Sequence, residues 1–381
     1  MTRILHLDHS SVLGGAERSL IELARSQVEL GHDVFVGVGR SGPFRDELRA
    51  AGIRTVDLRW HRRYVDATSR IGWLEAALGL PLTVVAAARL RRAIGRLRPD
   101  ILHAHTRKAQ LAGFLAVTAS HVSVVWHLRD YPPPPGPLRA ALRVAIGRAA
   151  HAVALSHWLG ACYLDAGLIP RSGRIDRVQS GVDPSPFDGL TTPWLDGRRS
   201  PIVGYVGNVS RAKGAHLILD VAERLADRSD VTFAIVGDVW FPRSDDGYGA
   251  WLRDRIKRSP VGDRIVWLST RQPRDAFAAI DVLVHPSVEP EPFGRVLVEA
   301  MIARRPIVAF RHGGPAEILD ESTAELATPG DPDALAAAIR RTVDDPSASA
   351  ARTIRAAAQA SRYAPMRIAQ TMDIAYAGLL R

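Results

Sequence analysis

Two successive series of short apolar runs, separated by stretches with helical periodicity, constrain the fold of this chain more than any other feature. The runs lie at residues 3–7, 33–38, 54–58, 101–103, 122–127 and 152–155, and then at 202–206, 232–236, 265–268, 282–285 and 307–310. Strand-like runs that alternate with helices are typical of parallel sheets covered by helices on both faces. We therefore predict an α/β fold of two doubly wound, Rossmann-like domains, whose ligands bind beyond the carboxyl ends of the strands.

A turn-rich segment between the two series marks the domain boundary. Residues 183–201 are rich in proline, glycine and aspartate and have no apolar periodicity, as expected of a linker. We predict an N-terminal domain at 1–183, a C-terminal domain at 184–363, and a cleft between them. A final helix at 364–381 is expected to pack back towards the N-terminal domain.

Composition excludes several classes of protein. Hydrophobic residues make up 46% of the 381 residues and charged residues 24%, as in ordinary globular proteins. The longest uncharged apolar run, 76–88, contains Pro81 and is too short to span a bilayer. The single cysteine, Cys162, excludes an internal disulfide and a cysteine-based zinc site. The N-terminus turns polar at His6, so we expect no secretory leader and a cytoplasmic protein.

The net charge of +10 lies entirely in the first half of the chain. Residues 1–183 hold 25 Lys and Arg against 15 Asp and Glu, whereas the remainder is neutral. Arginines and apolar residues are densest at 59–98, a combination that favours an anionic membrane surface. We therefore expect peripheral membrane attachment through 59–98. The alternative is a solvated arginine face. No nucleic-acid partner is expected, because no aromatic stacking platform is evident.

Two apparent ligand motifs have better structural interpretations. The segment 37–42 matches G-x-G-x-x-G and is followed by Asp57, as in a dinucleotide fingerprint. It lies after the second strand, however, and Pro43 follows its third glycine directly, so we interpret it as a surface turn. Asp331 and Asp333 form a D-x-D pattern, but Asp331 followed by Pro332 predicts a helix N-cap.

Histidines 103 and 105 are a third candidate site, for a metal ion. We expect their side chains to point to opposite faces of a strand, and no third ligand has a suitable spacing. No metal site is therefore predicted.

Four glycine-bearing loops carry the candidate chemistry, because each follows a predicted strand and opens a helix. They are 14–17, 206–214, 284–294 and 313–317. Glycines allow close approach of the backbone to a ligand, and helix N-termini favour negative charge. In the second loop, Arg211 and Lys213 make a suitable cradle for a diphosphate. The structural alternatives are a plain turn at 14–17 and a solvated helix start at 206–214.

Two glutamates frame the third of these loops. Glu291 precedes the predicted helix 296–303, and Glu299 lies near the middle of it beside apolar residues such as Val298. A buried carboxylate is costly unless a partner such as a ligand hydroxyl binds it. Glu291 could accept hydrogen bonds from sugar hydroxyls in the same place.

Taken together, these motifs resemble family 4 glycosyltransferases, retaining enzymes of the GT-B class. The resemblance covers nearly the whole chain. It is carried by EPFGRVLVEAM, PIVAFRHGGPAEIL, SGVDPSPF, GGAE, DILHAHT and VVWHLRD. The family usually has arginine directly after the glycine of the second loop, where this chain has Asn208, and asparagine where it has Ser180.

The resemblance implies roles for individual residues. Glu299 would bind the nucleotide ribose, and Glu291 with the Phe293 and Gly294 amides would hold the donor sugar. Lys213 would neutralise the departing diphosphate. The remaining implied contacts are His127 beside the anomeric centre, Gly15 under the phosphates, Arg295 and Asn208 at the donor, and Arg211 in place of the missing arginine.

The implied reaction is transfer of a sugar from a nucleotide-diphosphate sugar to a hydroxyl of a glycan or lipid-linked acceptor, with retention of anomeric configuration. Acceptors usually meet the first domain in this architecture, so the basic segment 59–98 favours a lipid-linked acceptor, and a soluble acceptor is the alternative. The residues Glu291, His127 and Lys213 are the predicted catalytic groups. Positioned cations and helix N-termini would stabilise the leaving diphosphate without a metal or other cofactor. A nucleotide-sugar epimerase or hydrolase of the same architecture remains the alternative.

Overall fold

The computed structural model describes residues 1–66, 73–118, 120–147, 151–197, 200–239 and 247–379. At residues 66 and 73–80 it describes the backbone only. The chain divides into two compact units. Unit 1 comprises Met1–Gly181 together with Pro365–Arg381, and unit 2 comprises Val182–Ala364. The predicted bounds were 1–183 and 184–363, with a separate helix at 364–381.

Unit 1 is a parallel seven-stranded sheet with helices. Its strands are β1 (Arg3–Asp8), β2 (Asp33–Val38), β3 (Arg54–Asp57), β4 (Ile101–Ala104), β5 (Ser123–Leu128), β6 (His151–Ala154) and β7 (Ile175–Arg177), in the order β3-β2-β1-β4-β5-β6-β7. Its helices are α1 (Gly15–Glu29), α2 (Pro43–Ala50), α3 (Arg62–Asp66), α4 (Trp73–Leu97), α5 (Arg107–Val117), α6 (Pro137–Gly147), α7 (His157–Asp165) and α15 (Pro365–Ala377). The strand order reverses between β1 and β4, which is where doubly wound sheets bind ligands.

Unit 2 has a parallel six-stranded sheet of the same kind. Its strands are β8 (Ile202–Val206), β9 (Thr232–Val236), β10 (Ile265–Leu268), β11 (Val282–His285), β12 (Ile307–Phe310) and β13 (Glu325–Ala327), in the order β10-β9-β8-β11-β12-β13. Its helices are α8 (Leu217–Arg224), α9 (Tyr248–Arg258), α10 (Pro273–Ala278), α11 (Arg295–Ile302), α12 (Pro315–Ile318), α13 (Pro332–Asp344) and α14 (Pro346–Ala360). The order reverses between β8 and β11. The prediction of two doubly wound α/β sheets is confirmed.

Helix α15 completes the core of unit 1, although it follows unit 2 in the sequence. Its buried residues Ile368 and Met372 pack with strand residues such as Ile4, Ile101 and Val125. The buried carboxamide of Gln27 on α1 also contacts the Tyr376 hydroxyl on this helix. Burial of this apolar face is what holds the C-terminal helix on unit 1.

Part of the basic segment 59–98 does not have the exposure that its predicted role requires. The side chains of Trp60 and Tyr64 are 1% and 6% exposed, respectively. Trp60 packs edge-on against Tyr64 in the interior of unit 1, so neither ring is available to a lipid surface. None of the described helices has the length and apolar character needed to cross a membrane. Residues 67–72 of this segment lie outside the described residues.

Candidate functional site

The carboxylate of Glu291 is the centre of a cluster in unit 2, beyond the ends of β8 and β11. Its Oε1 lies 2.7 Å from Nζ of Lys213 and 3.0 Å from Nε2 of His285. The hydroxyl of Ser287 donates a hydrogen bond to the same oxygen. Lys213 follows β8, and the other three residues end or follow β11. The topology therefore brings together two loops that are far apart in the sequence.

Glu291 is held as a carboxylate by this cluster. The residue is only 8% exposed, and burial alone would raise the pKa of its carboxyl. The neighbouring Lys213 and His285 outweigh burial and lower that pKa well below its ordinary value. Since Oε1 receives all three contacts, Oε2 has no hydrogen-bond partner within the described ranges. The second oxygen thus retains its full capacity to accept hydrogen bonds.

A glycine turn fixes the backbone on which Glu291 sits. The amide of Gly314 donates to the Glu291 carbonyl at 2.7 Å. Gly313 has φ +63, and a Cβ at that position would lie 2.8 Å from both N and O of Glu291. Only glycine permits both this left-handed backbone and this close approach. The fourth candidate loop is therefore a structural support for the third.

Helix α11 carries the second glutamate of the signature. Gly294, with φ +99, precedes its first residue, Arg295. Nε of Arg295 donates to Oε1 of Glu299 at 2.9 Å, and both side chains are nearly buried. An internal ion pair thus offsets the burial of Glu299, which the sequence analysis had attributed to a ligand hydroxyl. Phe293 is 4% exposed and contacts the ring of Tyr363 edge-on, which anchors the start of the helix.

The loop after β8 places its two cations differently. Lys213 reaches Glu291, but the Arg211 guanidinium lies over the rings of Tyr248 and Trp251 on α9, 5.0 and 4.7 Å from their centroids. Such stacking is a favourable cation–π arrangement. The structure therefore brings Lys213, and not Arg211, to the glutamate cluster. The backbone carbonyl of Asn208 accepts a hydrogen bond from the Tyr205 hydroxyl at 2.6 Å.

Gly15 and His127, the remaining predicted residues, belong to unit 1. Gly15 is the first residue of α1, and the preceding Gly14 amide donates to Oε2 of Glu17 at 2.9 Å. This carboxylate is therefore already hydrogen-bonded at the start of the helix, where an anion is favoured. His127, on β5, is 4% exposed.

His127 belongs to a buried cluster of four histidines, which the sequence analysis did not predict. The other members are His6, His103 and His105, with side chains at most 1% exposed. The rings of His103 and His105 stack with centroids 4.2 Å apart. The expectation that these two point to opposite faces is wrong, because residues two apart on an extended strand share a face. Ring nitrogens of His6, His103 and His105 lie within 4.8 Å of one another, so the expectation that the pair lacks a third potential ligand is also wrong, because the sheet brings His6 of β1 beside β4.

The residues of the D-x-D pattern at 331–333 and of the glycine-rich segment 37–42 have structural roles. Asp331 caps α13, since its Oδ1 accepts hydrogen bonds from the amides of Asp333 and Ala334 at 2.9 and 3.0 Å. That prediction is confirmed. At 37–42, a Cβ on Gly39 would lie 2.7 Å from the His9 carbonyl oxygen. This glycine is thus required by packing against the loop after β1.

His285 and Ser287 are site residues that sequence reasoning missed. Both lie in the quoted third loop, but a histidine at a strand end and a serine after a proline have no distinguishing pattern. The only available signal was position, since both follow a strand at the predicted ligand-binding edge of the sheet.

Comparisons with known proteins show which family of proteins the chain matches. Residues 13–186 match the model described as "Glycosyltransferase Family 4", and residues 200–345 match "Glycosyl transferases group 1". The 2-deoxystreptamine N-acetyl-D-glucosaminyltransferase of Streptomyces fradiae is 29% identical over 87% of this chain and 83% of its own length. The 2-deoxystreptamine glucosyltransferase of Streptomyces kanamyceticus is 31% identical, but the match spans 51% of this chain and about half, 49%, of that relative.

A solved structure extends the similarity over the whole fold. HepE of Anabaena, crystallised in complex with UDP-glucose, superposes with a TM-score of 0.80 at 28% identity. The superposition covers 99% of this chain and 100% of HepE.

Proposed function

Because the chain belongs to the family 4 glycosyltransferases of the GT-B class, which transfer a sugar from a nucleotide-sugar donor, we propose that its donor is a UDP-hexose. We propose further that transfer to an acceptor hydroxyl proceeds with retention of configuration and without a metal ion. The observation that carries this proposal is the contact of Lys213 and Glu291 at the carboxyl ends of β8 and β11. One residue supplies a positive charge for a diphosphate, and the other supplies an acceptor for sugar hydroxyls.

The geometry around Glu291 supports a particular form of retaining chemistry. Lys213 and His285 hold the pKa of the Glu291 carboxyl well below its ordinary value, which makes this carboxylate a weak nucleophile. A covalent glycosyl–Glu291 intermediate is therefore disfavoured. Retention would instead follow a front-face route. The sugar–phosphate bond breaks, the acceptor oxygen bonds to the anomeric carbon from the same face, and the departing phosphate takes the acceptor proton.

Binding of the donor is the first test of this proposal. We expect UDP and UDP-hexoses, but not GDP, ADP or dTDP, to raise the melting temperature, with or without magnesium. A ligand at 100 times its Kd stabilises the folded protein by about 2.7 kcal/mol, or several degrees. Glu299→Gln should abolish the shift, whereas Glu289→Gln, at an exposed position on the adjacent loop, should preserve it. A panel with no response from folded protein would contradict the proposal.

Identification of the product distinguishes a transferase from an epimerase and shows whether the anomeric configuration is retained. With an α-linked UDP-hexose and an acceptor, proton NMR should show an α-linked glycoside. A β-linked glycoside would contradict retention. Conversion of the donor alone to an isomer would favour the epimerase alternative.

An exposed stripe on α4 supports a second proposal, that the acceptor is lipid-linked and met at an anionic membrane surface. Val84 and Val85 are 53% and 47% exposed, and Arg92 and Arg96 are exposed further along the same helix. Apolar side chains beside arginines favour interfacial binding, to which each arginine near the surface contributes about 1 kcal/mol.

Vesicle sedimentation tests this stripe. We expect the protein to bind vesicles with 30% phosphatidylserine at low salt and Arg92→Glu/Arg96→Glu to reduce binding at least tenfold. A matched control is Arg253→Glu/Lys257→Glu, which changes two exposed cations in unit 2. Equal binding by both variants, or none by the wild type, would contradict the membrane proposal while leaving sugar transfer untouched.

A further inference from the structure

The four buried histidines of unit 1 belong to one continuous chain of hydrogen bonds. The chain passes from His6 to His103 through the side chains of Gln27 and Tyr376. His6 on β1 pairs in register with His103 on β4, and His127 lies on the next strand, β5. Nδ1 of His6 lies 2.9 Å from Nε2 of His105, and Nε2 of His103 lies 3.2 Å from Nδ1 of His127. A neutral imidazole has one donor and one acceptor nitrogen. The direction of one hydrogen bond therefore determines which nitrogen of the next ring carries the proton.

Arg129 sets the direction of this chain. Its Nη1 lies 3.4 Å from Nδ1 of His105, and a guanidinium can only donate. Nδ1 of His105 is therefore the acceptor nitrogen, and Nε2 carries the proton and donates to Nδ1 of His6. His6 must then donate from its Nε2, which lies 2.6 Å from Oε1 of Gln27.

The carboxamide of Gln27 passes the direction on to helix α15. Because its oxygen accepts from His6, its amide nitrogen faces the Tyr376 hydroxyl, 3.4 Å away, as a donor. The hydroxyl proton must then point to Nδ1 of His103, at 2.6 Å. Nε2 of His103 in turn donates to Nδ1 of His127. Reversing any one of these bonds would place two donors, or two acceptors, against each other.

The protonation states that this scheme requires agree with the environment of the rings. Burial lowers the pKa of His6 to about 4 and lowers those of His103, His105 and His127 well below the ordinary value. All four imidazoles are therefore neutral near pH 7. Burial also raises the pKa of the Tyr376 hydroxyl, which thus remains a proton donor.

From this geometry we infer that Arg129, Gln27 and Tyr376 are positioning residues that hold His127 as the Nε2–H tautomer. Nε2 of His127 is buried and has no partner within the described ranges. The imidazole consequently presents a fixed N–H donor, which suits an oxygen of a bound sugar. It cannot act as a general base towards an acceptor hydroxyl, because neither ring nitrogen has a lone pair available for that proton. This inference rests on the proposed function only for the identity of the oxygen.

A metal ion is a less favourable occupant of the cluster. His6, His103 and His105 would each have to give up a hydrogen bond to ligate it, and the guanidinium of Arg129 would repel it. The zinc content of the purified protein distinguishes a metal-bound cluster from a hydrogen-bonded one.

The test is the tautomer of His127, read by NMR of protein labelled with ¹⁵N at histidine and without ligand. The His127 signals are those missing from the spectrum of His127→Gln. We expect the pattern of a neutral ring protonated at Nε2. An Nδ1–H or charged His127 would overturn the inference, as would stoichiometric zinc in the purified protein or a rise in melting temperature on adding zinc.

Two variants break the chain at separate points. Tyr376→Phe removes one hydroxyl with little change in packing, and Arg129→Met removes the obligate donor at the partly exposed head of the chain. Either should give mixed His127 tautomers, and kcat should fall about fivefold to tenfold, since one transition-state hydrogen bond is weakened. Tyr163→Phe is the matched control, because this buried hydroxyl donates to the Asp130 carbonyl outside the chain.

The outcomes separate this inference from the proposed function. Unchanged tautomers in both variants would overturn the role of the chain. A correct tautomer in a protein that binds no nucleotide sugar would instead contradict the proposed function alone.

Discussion

Replacing Lys213 with alanine is expected to lower kcat/KM by 10²- to 10³-fold. In the proposed reaction the Lys213 ammonium stabilises the charge that develops on the leaving diphosphate, and loss of one preorganised donor of this kind typically has an effect of that size. The same change removes the closest cation, at 2.7 Å, from the buried carboxylate of Glu291. Because Lys213 is partly exposed, we expect this loss to cost only about 1–2 kcal/mol of folding stability. Steady-state kinetics and urea unfolding measure the two effects separately.

A second substitution separates the catalytic effect from the structural one. In Lys213→Ala/Glu291→Gln the buried negative charge is gone, so the folding stability should return towards that of the wild type, while the activity should not recover. Lys257→Ala removes an exposed lysine of unit 2 and should leave both quantities unchanged. Activity within threefold of wild type in Lys213→Ala would show that this lysine does not act on the leaving group.

Acidification from pH 8 to 5.5 is expected to destabilise the protein by about 5 kcal/mol, a large part of the usual 5–15 kcal/mol. Five histidines have lowered pKa values in the folded state, against 6.5 when unfolded, chiefly because of burial: His6, His9, His103, His105 and His127. The unfolded chain therefore binds more protons below pH 6.5, and stability falls with pH. At pH 5.5 each histidine contributes a loss of about 1.4 kcal/mol.

Asp8 acts in the opposite direction. Burial, together with the negative charge of Glu17, raises the pKa of its carboxyl from 3.8 to about 7. The folded protein therefore takes up this proton before the unfolded chain does, which offsets the loss by about 2 kcal/mol. The expected net uptake on unfolding near pH 5.5 is between about three and four protons.

Urea unfolding at a series of pH values measures this uptake as a slope. His121→Gln, at an exposed histidine of unit 1, should leave the slope unchanged. Replacing His6 with glutamine should reduce it by about one proton. A stability that is flat from pH 8 to 5.5 would mean that the histidines are charged, or solvated, in the folded state.

Sequence reasoning located the buried strands well and the edges poorly. The bounds 202–206, 232–236, 265–268, 282–285 and 307–310 are those of the strands observed in unit 2. Such central strands are continuous apolar runs because both of their faces are covered. Strands β7 and β13 were missed, since each has three residues and includes charged side chains. Short edge strands have too little apolar pattern to be recognised.

The candidate site was predictable as a set of loops but not as a set of contacts. Parallel topology implies that the loops holding Lys213 and Glu291 meet at one sheet edge. Nothing in the sequence indicates that His285 shares the same carboxylate, or that Arg211 stacks on the aromatic residues of α9. The histidine cluster depends in addition on Tyr376, which lies 273 residues after His103. Contacts across such separations are set by packing.

The return of α15 to unit 1 has a consequence for synthesis of the chain. On a ribosome, the sheet of unit 1 emerges first, but its closing helix emerges only after Val182–Ala364. At 5–20 residues per second this delay is on the order of 10–40 s, during which the apolar surface that α15 covers remains open. Tyr376 arrives with that helix, so the hydrogen-bond chain to His127 is completed last. A nascent N-terminal half would thus be a natural client for chaperones, and a product truncated before α15 would carry an unsupported His127.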